Sequence, residues 1–388
     1  MNPHDGTFFL GGQGGWRSTD GAVTWSLIKT HPDARAIAFD PADGARVWLG
    51  NDGGLSRSTN GGAAVASLAQ TLPVMQFYAI RAHPTDPNIV YGGTQDNGLQ
   101  RGRAFGTWTE VLGGDVGAEV FDTATSRLLM VSLTGIVLRR RDDGTGPVEQ
   151  VGSSTIFGPG ARFAFLAPLV RGADGTVWIG SNRIFASHDF GTTWTAPAGT
   201  LDLTDGKPAT GSGDVLTTIA VSASDPRVVY TGSAAGRMMV THDAGVTWTD
   251  ITPPEKHYAG GIAVDPASPS NAYVAFTAYR GKHVLRTTDF GATWSDFSAG
   301  LPDVPMQTIY IDPRDPSRMY VGTDIGVFRS VAGGDWEPFD SGMPPVKVTS
   351  FTTTADGRLL AGTYGRGIYR LADDPPSVTG PHRRSVRH

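Results

Sequence analysis

Residues 188–195 read HDFGTTWT, residues 242–249 read HDAGVTWT, and residues 288–295 read TDFGATWS. One phrase is thus written three times, at intervals of 54 and 46 residues. Self-similarity at such a period restricts a chain to architectures built from one repeated unit, each copy burying its apolar face against the next. Aligning on the phrase recovers the longer unit. It runs through a short apolar strand, a DPxxP turn, a strand ending in Gly, a small polar loop, a strand ending Arg-Ser/Thr, and then the phrase. The clearest copies begin at Ile219, Ile262 and Ile309, and weaker ones near Ala36, Gln76, Gly117, Phe163 and Val346.

Short apolar runs bounded by Gly, Pro, Asp and Asn are strand chemistry, and no segment sustains a 3.6-residue period. The expected fold is all-β: a single β-propeller of four-stranded antiparallel blades, about eight in number, with seven possible. The last unit, residues 348–371, has three strands and no phrase after it. WRSTDGAVTWSLI at 16–28 can supply the missing strand, so the N-terminal segment is expected to close the last blade and remove an open edge. The propeller is expected over residues 1–375, followed by a disordered basic tail at 376–388 that ends PHRRSVRH. Because the chain opens in the middle of a repeat, a trimmed form or a piece of a larger, ten-bladed ring is also open.

The phrase fits Ser/Thr-x-Asp-x-Gly-x-Thr-Trp, complete at Ser187–Trp194, Thr241–Trp248 and Thr287–Trp294. Its Asp can accept hydrogen bonds from backbone N–H groups inside a tight turn. The Gly supplies a backbone conformation that a Cβ obstructs, and the Trp offers a large face for packing between blades. STDGAVTW at 18–25 keeps Asp20 and Trp25 but moves the Gly; STNGGAAV at 58–65 and SVAGGDW at 330–336 are decayed copies. The pattern resembles the Asp-box, or BNR repeat, a hairpin between the third and fourth strands of a blade. These Asp and Trp residues are read as holding hairpins.

Composition removes several functions. The chain lacks cysteine, which excludes disulfides, thiolate metal sites and a Cys nucleophile. A net charge of −5 gives no basic face for nucleic acid, and no run approaches the length of a membrane span. MNPHDGTFF encodes no signal peptide, and neither a metal site nor a cofactor is expected: no closely spaced ligand set or phosphate loop occurs.

Strand alternation sorts the loops onto two faces. The phrase hairpins and DPxxP turns share one. The loops between second and third strands share the other with the connections between blades. That second face gathers NDGG (51–54), TQDNG (94–98), SNRI (181–184), TAYRGKH (277–283), TDIG (323–326) and TYGRG (363–367), with the connections GGDVG (113–117) and PPEKHY (253–258). Polar loops without packing duty are where sites are expected. Asp52, Asp96, Asp115 and Asp324 are the candidate catalytic carboxylates, since glycoside hydrolysis needs a carboxyl pair flanking the scissile bond; each can also simply cap its own turn. Gln95, Asn97, Arg183, Tyr258, Tyr279, Arg280, Tyr364 and Arg366 are candidate substrate-binding residues, with Tyr78 a further stacking surface.

The loops add a finer likeness. VWLGNDGGLSRSTNGG, VYGGTQDNGLQ and MYVGTDIGVFRS look like blades of sortilin-like and xyloglucanase-like Asp-box propellers, in the wider sialidase fold. In the xyloglucanase-like family catalytic Asp residues stand in a TDIGG-type loop; Asp324 in GTDIGVF matches it best and Asp52 in GNDGGLS second. Val327 replaces that loop's second Gly, and those enzymes work in a cleft between two propellers. Sialidases use three Arg, a Tyr assisted by Glu, and an Asp; Tyr258 with Glu255 or Glu119, and Arg81, Arg183, Arg280 and Arg366, are the residues that could match, but the Arg-Ile-Pro signature is absent. The resemblance implies a secreted or periplasmic protein. Two readings remain: a glycoside hydrolase acting on a polysaccharide, and a non-catalytic propeller that grips a protein or glycan partner.

Overall fold

The computed structural model describes residues 1–371, apart from 69–73, 104, 105, 123, 126, 134, 142–145, 207–212, 340 and 341; the basic tail expected at 376–388 lies outside the described residues. Nine antiparallel sheets follow one another along the chain, six with four strands and three with three. The helix among the described residues is a single turn, Ser154–Phe157. The chain is all-β, with the sheet organisation of a propeller.

Hydrogen-bond geometry explains why the phrase recurs. Ser187 Oγ donates to Asp189 Oδ1 at 2.9 Å and accepts the Gly191 N–H at 2.7 Å. Asp189 then accepts the Thr193 N–H and the Thr193 hydroxyl, at 2.8 and 2.7 Å. The turns at Asp243 and Asp289 repeat every one of these bonds. At Asp243 they hold the carboxyl down at about 2, the Thr247 hydroxyl contributing most. Gly191, Gly245 and Gly291 sit at φ of 85–87°, where an L side chain is strained. Two further copies keep the turn as well: Asp20 makes the same contacts with Ala22 at φ 72°, and in the decayed copy at 58–65 Asn60 takes the Asp role between Ser58 and Ala64.

The Trp of the phrase ties neighbouring sheets together. Trp194 Nε1 donates to Val151 O, Trp294 to Ile251 O and Trp336 to Phe297 O, each at 2.7 Å and each on the preceding sheet. Trp248 instead donates to Gly245 O of its own turn. The apolar core accordingly lies between successive sheets, as in the cluster joining Tyr230, Val240, Ile251, Ile262, Val274 and Leu285.

Seven of the nine sheets run in a closed circuit. Their innermost strands are Phe77–Ala82, Glu119–Asp122, Leu169–Arg171, Leu216–Val221, Ala259–Val264, Met306–Ile311 and Val348–Thr353, each packed on the next, with the last returning to the first. Ser350 Oγ and Thr352 Oγ1 accept the N–H groups of Ile80 and Ala82 at 3.0 and 3.1 Å, and Thr349 Oγ1 donates to Phe77 O at 2.9 Å. This corrects the expected closure. The N-terminal segment does not complete the last sheet, which has three strands among the described residues; residues 8–28 form a sheet of their own. That sheet packs instead on the one at 36–67 through Phe9, Ile28, Phe39, Val47 and Leu49. Closure is made instead by the innermost strands of the first and last ring sheets, while the N-terminal strands pair with one another and bury their apolar face on the sheet that follows them.

Candidate active site

The loop TQDNG turns on Asp96, at φ 56°, and Gly98, at φ 73°. A Cβ on Gly98 would lie 1.7 Å from Leu112 O, so only glycine lets this loop lie against the strand beside it. Thr94 Oγ1 donates to Gly98 O at 2.7 Å, Asn97 Nδ2 to Gln95 O at 3.0 Å, and Gln100 Nε2 to Asn97 O. The loop is thereby rigid, and it aims Asp96 outward.

Three of the four candidate carboxylates meet here. The Asp96 N–H donates to Asp115 Oδ1 at 3.1 Å. The Asp96 carboxyl interacts with that of Asp52, which arrives from the N-terminal pair of sheets, each shifting the other's proton affinity. Asn97 Nδ2 also reaches Asp52 O at 3.3 Å. Arg35 grips Asp52 through Nε and Nη2 at 2.9 and 3.1 Å. This geometry pushes the two acids apart. The Arg35 bond, opposed by burial, holds Asp52 below the usual carboxylate range. Burial first, then the charge of Asp115 and the interaction with Asp52, raise Asp96. Of the two, Asp96 is the acid with the higher proton affinity.

Tyrosines flank this group. Tyr78 and Tyr364 pack with ring centroids 5.9 Å apart, and Tyr364 Oη donates to Gln95 Oε1. Burial raises both phenols, so both are neutral donors. The two rings form one wall of the channel mouth, a cavity of about 460 Å³ also lined by Tyr258, Gln307 and Lys347. Lys347 Nζ lies 5.9 Å from the Tyr364 ring centroid.

The other candidates lie elsewhere. Asp324 belongs to the sixth ring sheet, where Gln307 Nε2 donates to its Oδ1 at 2.8 Å. Arg183 donates to Pro159 O on the third sheet. Tyr279 is exposed, and the N–H of Arg280 donates to Asp303. The Arg366 N–H is held by Thr363 Oγ1. Glu255 is engaged by His257 Nε2 at 3.2 Å rather than by Tyr258. Glu119 does not line the channel: it is 1% exposed, and neither carboxyl oxygen has a hydrogen-bond partner. Its register position carries Ile80, Ile219, Ile262, Ile309 and Phe351 in other ring sheets. Arg35, Gln307 and Lys347 were missed as site residues. Arg35 had a signal, since the pairing of Ala36 with Gly50 sets its side chain beside the NDGG loop. Among the described residues no group of His, Asp and Glu could hold a metal ion, and no helix is long and apolar enough to cross a membrane.

No protein-family model matches the chain, and no curated protein does. Solved structures do. YCF48 from Cyanidioschyzon merolae superposes with a TM-score of 0.57 at 12% identity, over 76% of this chain and 95% of that one. A streptogramin B lyase gives 0.57 at 12% identity over 77% and 93%. A chain of a mitotic checkpoint complex gives 0.56 at 14% over 78% and 90%. At these identities the likeness carries fold and nothing finer. The chain is a β-propeller.

Proposed function

We propose that this chain is a carbohydrate-active propeller of the Asp-box kind, a glycoside hydrolase that uses the Asp52–Asp96–Asp115 group on a polysaccharide. The observation that carries this reading is the convergence of three carboxyls, Asp115 on the Asp96 N–H and Asp52 beside the Asp96 side chain, with Asp52 shifted down and Asp96 up. Neighbouring acids whose environments push their proton affinities apart are a signature of acid–base division of labour. Asp96 donates its proton to the leaving glycosidic oxygen. Asp115 is the carboxylate that activates water or attacks the anomeric carbon, and Asp52, anchored by Arg35, keeps the proton affinity of Asp96 high. Tyr78, Tyr258 and Tyr364 offer ring faces for sugars. The xyloglucanase-like resemblance of the loops makes β-glucans the first substrates to test.

The test is hydrolysis of xyloglucan, other β-glucans and sialosides by the wild type and by Asp96→Asn, Asp115→Asn and Asp324→Ala. Asp96→Asn should reduce kcat by at least about 10²-fold with an unchanged melting temperature, while Asp324→Ala leaves most activity. Equal loss in Asp324→Ala and none in Asp96→Asn would overturn the assignment. A second, non-catalytic reading is favoured by a different observation: Leu10, Trp16 and Leu27 stand side by side and exposed on the first sheet, a surface suited to a protein partner. Glucan binding without cleavage by the wild type would select that reading.

A further inference from the structure

We propose that the opposite mouth of the channel, on the face of the DPxxP turns, binds a small organic anion: a carboxylate carried on an apolar body. This mouth is a cavity of about 530 Å³ to which six of the seven innermost strands contribute. About half of its wall is hydrocarbon, from Val120, Val221, Val264 and Ile311 among others. Two guanidinium groups, those of Arg81 and Arg171, interrupt it.

Among the described residues, neither arginine is tied up in an ion pair of the kind found elsewhere in the chain. Arg35, Arg139, Arg162, Arg227 and Arg314 each meet a carboxylate within 3 Å. Arg171 has no acid partner among the described residues. Arg81 donates Nε to the Glu119 carbonyl at 3.2 Å, and the Glu119 carboxyl beside it is kept neutral by burial. Asp312, next to Tyr310 at the rim, is held by Arg314 at both oxygens. The charged side chains lining this mouth are thus the two arginines, set among apolar ones, whereas the opposite mouth gathers Asp52, Asp96 and Asp115.

That combination selects a ligand. A guanidinium fork matches a carboxylate's two oxygens and exchanges water for charge-assisted hydrogen bonds. Aliphatic walls reward a hydrocarbon or aromatic body. A bare anion gains only the first contribution, and a neutral apolar molecule only the second. The site makes no use of the proposed hydrolytic residues and stands or falls apart from them.

The experiment is titration calorimetry of the whole chain with 4-phenylbutyrate, with 4-phenylbutanamide and acetate as comparators. One molecule of 4-phenylbutyrate should bind per chain, at least about ten-fold tighter than the amide or acetate. Arg171→Gln should weaken it about ten-fold or more, and Lys347→Gln, at the other mouth, should leave it unchanged. Arg81 also holds the Glu119 carbonyl, so Arg81→Lys, which keeps the charge, tests that position without removing a cation. The proposal is overturned by equal affinity for acid and amide, by retained affinity in Arg171→Gln, by loss in Lys347→Gln, or by no heat up to about 10 mM.

Discussion

Glu119 is the residue whose environment conflicts most with its chemistry. It occupies an isoleucine position with both oxygens unpartnered, and burial lifts its carboxyl to about 8, the Arg81 charge opposing only in part. The folded state therefore holds a proton that the unfolded chain releases near 4.5. The stability linked to this group is full below pH 4.5 and is lost as pH rises through about 8. Denaturant melts between pH 5 and 8 should show the wild type losing roughly 3–5 kcal/mol relative to Glu119→Gln. Glu119→Leu should be the more stable protein at pH 7, by about 1–4 kcal/mol. A wild type and Glu119→Gln with parallel pH profiles would show that the acid has found a partner. The DPxxP-face mouth adds a reason to expect retention of the acid, since a neutral Glu119 leaves the Arg81 charge uncompensated.

At the scale of elements, the repeated turn performs two separable tasks. Its Asp, Ser/Thr and Thr satisfy one another within eight residues, and its Trp reaches a different sheet. The first task was legible in the sequence, because every partner lies within four positions of Asp189. So was the candidacy of Asp96, from the density of polar residues around it. What joins Asp96 to Asp52 was not legible: the contact crosses two sheets and depends on how the N-terminal pair is carried against the ring. The Trp task can be tested by contrast. Trp294→Phe keeps the ring and removes the 2.7 Å bond to Ile251 O, which should cost about 1–2 kcal/mol in urea melts. Trp25 is 38% exposed, and among the described residues its indole reaches no other sheet, so Trp25→Phe should change stability by less than about 0.5 kcal/mol. Equal losses would mean that the indole acts only within its own turn.

For the whole molecule, closure decides what the N-terminal sheets are for. A ring closes where its first and last sheets meet, and here those are residues 77–112 and 348–371, some 270 positions apart. Such a pairing cannot be read from local pattern, whereas a stranded last unit and a spare N-terminal strand invite the inference that they pair. The structure frees residues 1–68 from that duty and leaves them one identifiable contribution, Asp52 with its Arg35 anchor beside Asp96. Met75 and Gln76 belong to the ring, since Met75 O accepts from Gly365 and Gly367 and Gln76 bridges Tyr364. A chain beginning at Val74 should consequently keep a β-rich circular dichroism spectrum and a single cooperative melt. It should lose the carboxylate beside Asp96, so that hydrolysis falls at least about ten-fold and the alkaline limb of its pH profile moves down as Asp96 ionises more readily. A truncated chain that fails to fold would return the closing role to the N-terminal sheets. One that folds and hydrolyses as the full chain does would remove Asp52 from the site.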